Sequence, residues 1–253
     1  MSNWIWRGLR SGVRTTVYPS AAETAAGVTP GFPRAAALDA EHVAALAARC
    51  PTGALTAESG RIEVDRRRCV HCYRCTRGTD APLPWADDYE WGAAPDTSHA
   101  TPLGSPFRGS LHVVVVDAGD CGACLHEVKQ LASPYYNLHR LGFYFTPTPR
   151  HADVLIVVGP VADQMRVALQ KTYDAMPAPK RVIAVGACAL SGGVFGPSYF
   201  SGAGAAGVLP VDVEVPGQPP PPLAILHGLL VAVGRKVPAS LGASRPTTPA
   251  GAR

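Results

Sequence analysis

The stretch LHVVVVDAGDCGACLHE, residues 111–127, marks a change in the character of the sequence and decides the fold of the C-terminal half of the chain. Its first part, residues 111–116, is an apolar run rich in β-branched valine, which predicts a buried strand. Three further short apolar runs predict more strands: residues 143–145, 154–158 and 181–185.

Helical patterns alternate with these strands. They occupy residues 161–175 and residues 222–234, the second with proline in its first turn and glycine at its end. Strands that alternate with helices predict a parallel sheet covered on both faces. We therefore expect an α/β domain of flavodoxin-like type over residues 111–235.

The sequence before this domain has a different texture. Residues 1–18 place apolar side chains at helical spacing between arginines, which predicts an amphipathic helix that packs on its own domain or docks on a partner or membrane surface. The expected organisation is, in order, a docking helix and connector (1–34), a ferredoxin-like α+β cluster domain (35–80), a proline-rich linker (81–110), the α/β domain (111–235) and a disordered tail (236–253).

Composition excludes several classes of function. Hydrophobic residues make up 47% of the 253 residues and the net charge is only +4, without a basic stripe interleaved with aromatics, so we expect no nucleic-acid partner. No apolar run is long enough to span a membrane, and arginines interrupt the N-terminus where a signal peptide would be apolar. We expect a cytoplasmic protein, in which the seven cysteines are ligands rather than disulfides.

Four cysteines form the first candidate site. The segment CVHCYRC places Cys69, Cys72 and Cys75 at C-x2-C-x2-C spacing, and Cys50 lies upstream in CPTGAL. This spacing brings three thiolates together from one short turn, as iron–sulfur clusters require. The alternative on the same four thiolates is a structural zinc site, although the spacing is poor for a tetrahedral ion.

This segment resembles a two-cluster bacterial ferredoxin domain, in which each motif reads C-x2-C-x2-C-x3-C-P. The positions that would hold the other cluster are Ala40, Val43, Leu46 and Thr79, and none is cysteine. The resemblance therefore implies a ferredoxin domain reduced to one [4Fe–4S] cluster.

Three cysteines form the second candidate site. Cys121 and Cys124 follow the strand at 111–116, and Cys188 follows the strand at 181–185. The carboxyl ends of parallel strands are where open α/β sheets place their sites. The neighbouring glycines allow a bulky ligand to approach the backbone.

Residues 111–235 resemble the small subunit of energy-converting, membrane-bound [NiFe]-hydrogenases, including formate hydrogenlyase, and the complex I subunit that holds the last cluster before quinone. The matching segments are PRHADVLIVVGPV (149–161), GACALSGG (186–193) and LPVDVEVPG (209–217). The family then reads P-G-C-P-P, with the cysteine as fourth cluster ligand, whereas this chain has Gln218. Three outcomes stay open: a four-iron cluster with an atypical fourth ligand, a three-iron cluster, or an empty site.

A second departure from the family lies beside Cys124. Hydrogenase small subunits usually carry Glu at the next position, and this chain has Leu125. Hydrogen chemistry at the usual partner site is therefore in question.

Together these resemblances imply a fusion of a ferredoxin-type subunit with a small subunit. Such a chain would relay electrons to a large subunit of hydrogenase or complex I-like type. It would lie on the cytoplasmic face of the inner membrane through membrane ion-translocating subunits. The alternative function is a structural scaffold whose second cluster site is empty.

Overall fold

The structure, a computed structural model, describes residues 3–58, 60–95, 103, 107 and 109–241. Its centre is a parallel sheet of five strands: β6 (Leu111–Asp117), β7 (Phe143–Phe145), β8 (Val154–Val158), β9 (Arg181–Val185) and β10 (Val213–Val215). Their order across the sheet is β7-β6-β8-β9-β10. This order, 2-1-3-4-5 within the sheet, is that of flavodoxin and confirms the predicted α/β fold class.

Alternate residues of the sheet face two separate apolar layers. Val113 and Ile156 pack against helices on one face, whereas Val114 and Leu155 pack against helices on the other. The first layer contains α3 (Ala123–Gln130) and α6 (Pro222–Ala232), and the second contains α4 (Asp163–Ala175) and α5 (Ala187–Ser191). Helix α4 begins two residues later than predicted because Val161 has a φ of 60°, outside the helical range.

A smaller α+β unit precedes this domain. Its antiparallel sheet is built from β2 (Ala36–Ala37), β3 (Leu55–Glu58) and β4 (Arg61–Val64), in the order β2-β4-β3. Helix α2 (Ala40–Arg49) packs on it and begins at an N-cap where the Asp39 carboxylate accepts the His42 N–H at 3.0 Å. A two-stranded ribbon, β1 (Phe32–Pro33) with β5 (Trp85–Ala86), flanks the unit.

The N-terminal helix is shorter than predicted. Helix α1 spans Asn3–Ser11, buries none of its residues, and ends where Gly12 adopts a φ of +62°. Residues 12–18 are not helical, and Tyr18 is only 1% exposed because it packs edge-on against Tyr89. This segment is therefore fastened to the core, while α1 projects from it.

Part of the predicted linker is packed on the α/β domain. Trp91 is fully buried, and the next two residues form backbone contacts with the sheet and α6. Ala93 exchanges two hydrogen bonds with Glu214 of β10 at 2.9 and 2.8 Å, and Gly92 donates its N–H to Nδ1 of the buried His227 at 2.9 Å. Of the predicted tail, residues 242–253 lie outside the described residues, and Leu241 is buried.

Within the described part of the chain, no helix combines the length and apolar character needed to cross a membrane.

Candidate functional site

The four cysteines of the first group line one cavity. Cys50 lies at the end of α2, and the other three lie in the loop between β4 and β5. The Cys50 Sγ accepts the backbone N–H of Ala54 at 3.2 Å, a contact that would also stabilise a metal-bound thiolate. Apolar side chains such as Leu46 and Leu55 complete the lining. The structure thus brings together all four residues that the spacing singled out.

The loop that carries three of these thiols turns sharply at two residues. His71 and Tyr73 have φ values of 51° and 59°, in the left-handed region that is uncommon for non-glycine residues. Tyr73 stacks on Trp85 of β5, with ring centroids 4.5 Å apart. Both rings line the cavity, and of its four cysteines Cys72 is exposed.

Burial raises the pKa of two of these thiols, Cys69 and Cys75. It raises the pKa of Cys69 to about 12, and the neighbouring cysteines add to the effect because their charges would repel. Burial also raises the pKa of Cys75. Thiols in this environment stay protonated at neutral pH unless a cation compensates their charge, which is what ferrous or ferric iron supplies.

Both an iron–sulfur cluster and a zinc ion use four cysteine ligands. Among the residues that the structure describes, no group of three His, Cys, Asp or Glu side chains could hold a metal ion as the side chains stand. The four thiols share one cavity, and three of them have the sequence spacing that clusters use.

Two of the four positions at which the ferredoxin resemblance expects the other cluster's ligands hold buried apolar side chains. Val43 and Leu46 lie one turn apart on α2, and both are buried. They pack with Leu55, Ile62 and Leu83 in a small separate core. Hydrophobic packing therefore holds this half of the unit together.

The second group lies at the carboxyl ends of β6 and β9. The loop after β6 is fixed by Asp120, whose carboxylate accepts the N–H groups of Gly122 at 2.9 Å and Leu125 at 3.1 Å. Cys121 is exposed and Cys124 is buried within this turn, and Cys188 lies in the first turn of α5. In the sheet only β8 lies between β6 and β9, so the three cysteines lie near one another beyond the carboxyl ends of these strands.

Two glycines make room for the sulfurs. A Cβ on Gly186 would lie 2.5 Å from the Cys124 Sγ, and a Cβ on Gly193 would lie 2.5 Å from the Cys188 Sγ. Both glycines also have positive φ, +95° and +64°, so any side chain there would be strained. The backbone is thus shaped around two thiols, as the fit of a bulky inorganic group requires.

Burial raises the pKa of Cys124 and of Cys188 as well. At Cys124 the nearby Asp120 and the other two cysteines act in the same direction, because each would repel a thiolate. At Cys188 the Gln218 side chain opposes the shift through a hydrogen bond. As thiolates, Cys124 and Cys188 therefore have the same need for a compensating cation as Cys69 and Cys75.

Gln218 lies at the position where the family pattern has its fourth cysteine. Its Nε2 is 3.4 Å and its Oε1 3.6 Å from the Cys188 Sγ. Its backbone N–H points to His71 Nδ1 at 3.4 Å. The residue in place of the family's cysteine therefore contacts both candidate sites.

Further contacts join the two sites. The Ser191 hydroxyl of α5 donates to the Arg67 carbonyl, two residues before Cys69, at 3.1 Å. The Arg67 guanidinium forms an ion pair with Glu214 of β10 at 2.6 Å, with both side chains 12% exposed. Cys69 and Cys124 belong to one continuous apolar core. The two sites are thus held at a fixed separation by buried interactions.

His71 is partly buried and lies between the two cysteine groups. Its ring centroid lies 4.5 Å from that of Phe32 and 5.7 Å from that of Trp91. Burial lowers its pKa to about 4, so the ring is neutral at physiological pH. Its place between Cys69 and Cys72 is visible in the sequence, but nothing in the sequence indicates its contact with Gln218.

Glu127 lies in a groove of about 470 Å³ that His71, Tyr73 and Gln218 also line. Burial raises the pKa of its carboxyl group. Leu125, which stands where the related hydrogenases carry Glu, instead lines an apolar groove with Val113 and Phe145. The acidic side chain of this helix therefore faces the groove beside the Gln218 loop.

Comparison with known proteins identifies the family. The family described as NADH ubiquinone oxidoreductase, 20 Kd subunit, matches residues 121–232, from Cys121 to the end of α6. An uncharacterised protein of Methanocaldococcus jannaschii is 45% identical over 123 residues, 49% of this chain and 82% of the relative. The chain belongs to the NADH ubiquinone oxidoreductase 20 Kd subunit family.

Named relatives of this 20 Kd subunit family come from hydrogen-metabolising complexes. The probable membrane-bound hydrogenase subunit mbhJ of Pyrococcus furiosus is 44% identical over 118 residues, 47% of this chain and 71% of the relative. Formate hydrogenlyase subunit 7 of Escherichia coli is 40% identical over 128 residues, 51% of this chain and 50% of the relative. These similarities cover about half of the chain, and the family match at residues 121–232 contains the second cysteine group.

Proposed function

We propose that this chain is an iron–sulfur electron-transfer subunit of a membrane-associated hydrogenase-like or complex I-like oxidoreductase. Cys50, Cys69, Cys72 and Cys75 bind one [4Fe–4S] cluster, and Cys121, Cys124 and Cys188 bind a second iron–sulfur cluster. Membership of the 20 Kd subunit family supports the class of complex. The clusters supply one-electron transfer, while the chain binds them, excludes water and fixes their separation.

One observation carries this proposal: the two cysteine groups are joined by direct contacts. His71, between Cys69 and Cys72, accepts the N–H of Gln218, whose side chain contacts Cys188. An electron relay needs its two clusters close together and rigidly held, because a variable distance between them would slow electron transfer.

We further propose the domain organisation and partners of this subunit. Residues 35–80 act as the ferredoxin-like entry unit, and residues 111–235 act as the small-subunit unit that passes electrons to a large subunit of hydrogenase or complex I-like type. Membrane ion-translocating subunits hold the assembly on the cytoplasmic face of the inner membrane. The names of the mbhJ and formate hydrogenlyase relatives support this class of partner.

Iron and acid-labile sulfide per chain test the proposal on anaerobically purified protein. We expect about eight irons with two four-iron clusters, or about seven with a three-iron second cluster. Cys69→Ala should remove the first cluster and leave the second, and Cys121→Ala should do the reverse. Ser20→Ala, at an exposed position, is the control and should leave the iron content unchanged.

The second candidate function is a scaffold subunit with an empty second site. It is favoured by Gln218, which stands where the family pattern has the fourth cysteine ligand. In that case the chain contains about four irons, all lost in Cys69→Ala and none in Cys121→Ala. Stoichiometric zinc without iron would overturn both functions.

A further inference from the structure

The loop that carries Gln218 is fastened to the turn that carries Cys188. Gly186 donates its N–H to the Val215 carbonyl, and Ala187 donates to the Gly217 carbonyl, both at 2.8 Å. The loop therefore meets the first turn of α5 by two main-chain hydrogen bonds, and its position does not depend on the side chain at residue 218.

The Gln218 side chain is held at both of its ends. At its base the backbone N–H contacts the partly buried His71 ring, and at its tip the amide contacts the Cys188 Sγ through both Oε1 and Nε2. The residue is half-buried. A glutamine in solvent would sample several rotamers, whereas this one is directed at the cysteine group.

The three cysteines leave one iron of a four-iron cluster without a protein ligand, and the Gln218 amide is beside them. Three thiolates ligate three irons of a four-iron cluster, and the fourth iron needs another donor. The Gln218 Oε1 lies 3.6 Å from the Cys188 Sγ, beside the Nε2 at 3.4 Å. We infer that the Gln218 amide oxygen is the fourth protein ligand of the second cluster.

This ligand changes the charge of the site. A neutral amide oxygen in place of a thiolate makes the ligand set less negative by one charge, so the reduced state becomes easier to reach and the reduction potential rises. The amide is also a weaker donor to iron than a thiolate, so the iron it binds is the one most readily lost. The second cluster then attracts electrons from the four-thiolate first cluster, which gives the relay its direction.

The same contact permits another role, in which Nε2 donates a hydrogen bond to the Cys188 sulfur and does not bind iron. Such a bond also raises a reduction potential. Gln218→Glu separates the two roles, because the carboxylate retains an oxygen at the same place and removes the N–H donor. Gln218→Ala removes both, and Gln218→Cys supplies the thiolate found in the family pattern.

The experiment compares these three variants with the unaltered full chain, purified anaerobically, by iron content and redox-titrated EPR. We expect Gln218→Ala to lose about one iron per chain and to show a three-iron signal on oxidation. Gln218→Glu and Gln218→Cys should retain that iron and titrate at lower potential than the unaltered chain. Gln164→Ala, an exposed glutamine on α4, is the matched control and should change neither quantity.

Two results would overturn the inference. If Gln218→Ala keeps the iron content and EPR spectrum of the unaltered chain, the amide is not a ligand. If Gln218→Glu loses iron as Gln218→Ala does, the N–H donor rather than the oxygen matters. The first-cluster signal, unchanged in all variants, shows that each has folded.

The inference rests on the proposed function, because it requires a second cluster. The two can fail separately. If Cys188→Ala does not change the iron content, there is no second cluster, and both the ligand assignment and the relay are overturned while the first cluster stands. If Cys188→Ala removes a cluster that Gln218→Ala leaves intact, only the ligand assignment fails.

Discussion

The ion pair between Arg67 and Glu214 fastens the segment before Cys69 to the edge strand of the large sheet. The Arg67 Nε lies 2.6 Å from the Glu214 Oε2. Each side chain is 12% exposed, so both charges have lost most of their hydration. Removing one partner of such a buried pair deprives the other charge of this contact while it stays largely desolvated, which destabilises by about 3–5 kcal/mol. We take the lower end, about 3 kcal/mol, because some solvent reaches both groups.

We therefore expect Arg67→Met and Glu214→Leu each to lower the free energy of unfolding by about 3 kcal/mol. The double variant should lose much less than the sum, because it removes both charges together. The measurement is anaerobic denaturant unfolding of the cluster-loaded chain, followed by far-UV circular dichroism and cluster absorbance. Arg61→Ala is the control, since its pair with Glu63 is 3.7 Å long and exposed, and it should cost less than about 0.5 kcal/mol.

Additive losses below about 1 kcal/mol in the two single variants would refute this reasoning. They would mean that the contact is a minor surface interaction and that the separation of the two cysteine groups is fixed by the apolar core alone.

Three further predictions concern other parts of the molecule. Under the proposed function, Gly193→Ala, which places a Cβ 2.5 Å from the Cys188 Sγ at positive φ, should lose the iron of the second cluster, while Gly207→Ala, in open space, should retain it. Burial lowers the pKa of His227 below its unfolded value of 6.5, so the stability of the fold should fall as the pH drops below about 6.5. In His227→Gln the denaturation midpoint should depend less steeply on pH over this range. Leu46→Ala, in the small core of the first unit, should lower the free energy of unfolding by about 2–4 kcal/mol in denaturant titration, and an unchanged midpoint would show that this core contributes little.

The central strands could be predicted because their physical signal is local. β8 and β9 are buried on both faces, so almost every residue in them is apolar. The apolar pattern does not predict β10, because this strand has only three residues and Glu214 is the middle one. It forms because it pairs with β9. Short edge strands of this kind are fixed by tertiary contacts.

The N-terminal helix was predicted too long for a similar reason. Its apolar spacing continues past Ser11, but Gly12 and the β-branched residues after it favour extended backbone. The Thr16 N–H then donates to the Tyr135 carbonyl at 2.8 Å, a partner over a hundred residues away. Periodicity cannot indicate such a competing interaction.

The candidate site divides in the same way. Short sequence spacing predicts that neighbouring cysteines share one site, so Cys69, Cys72 and Cys75 could be assigned to one group from the sequence. The contact of His71 with Gln218 joins residues 147 positions apart, and only the docking of one unit on the other creates it.

That docking also bears on why both cysteine groups are in one chain. Two separate subunits would hold their centres close only while bound, and the bound fraction would depend on concentration. Here a buried ion pair, a serine hydroxyl and a shared apolar core set the separation without any partner. Under the proposed function, the step between the two clusters is then a property of the folded chain. It should proceed at the same rate in the isolated subunit as in the assembled complex, whereas transfer to a large subunit should depend on assembly.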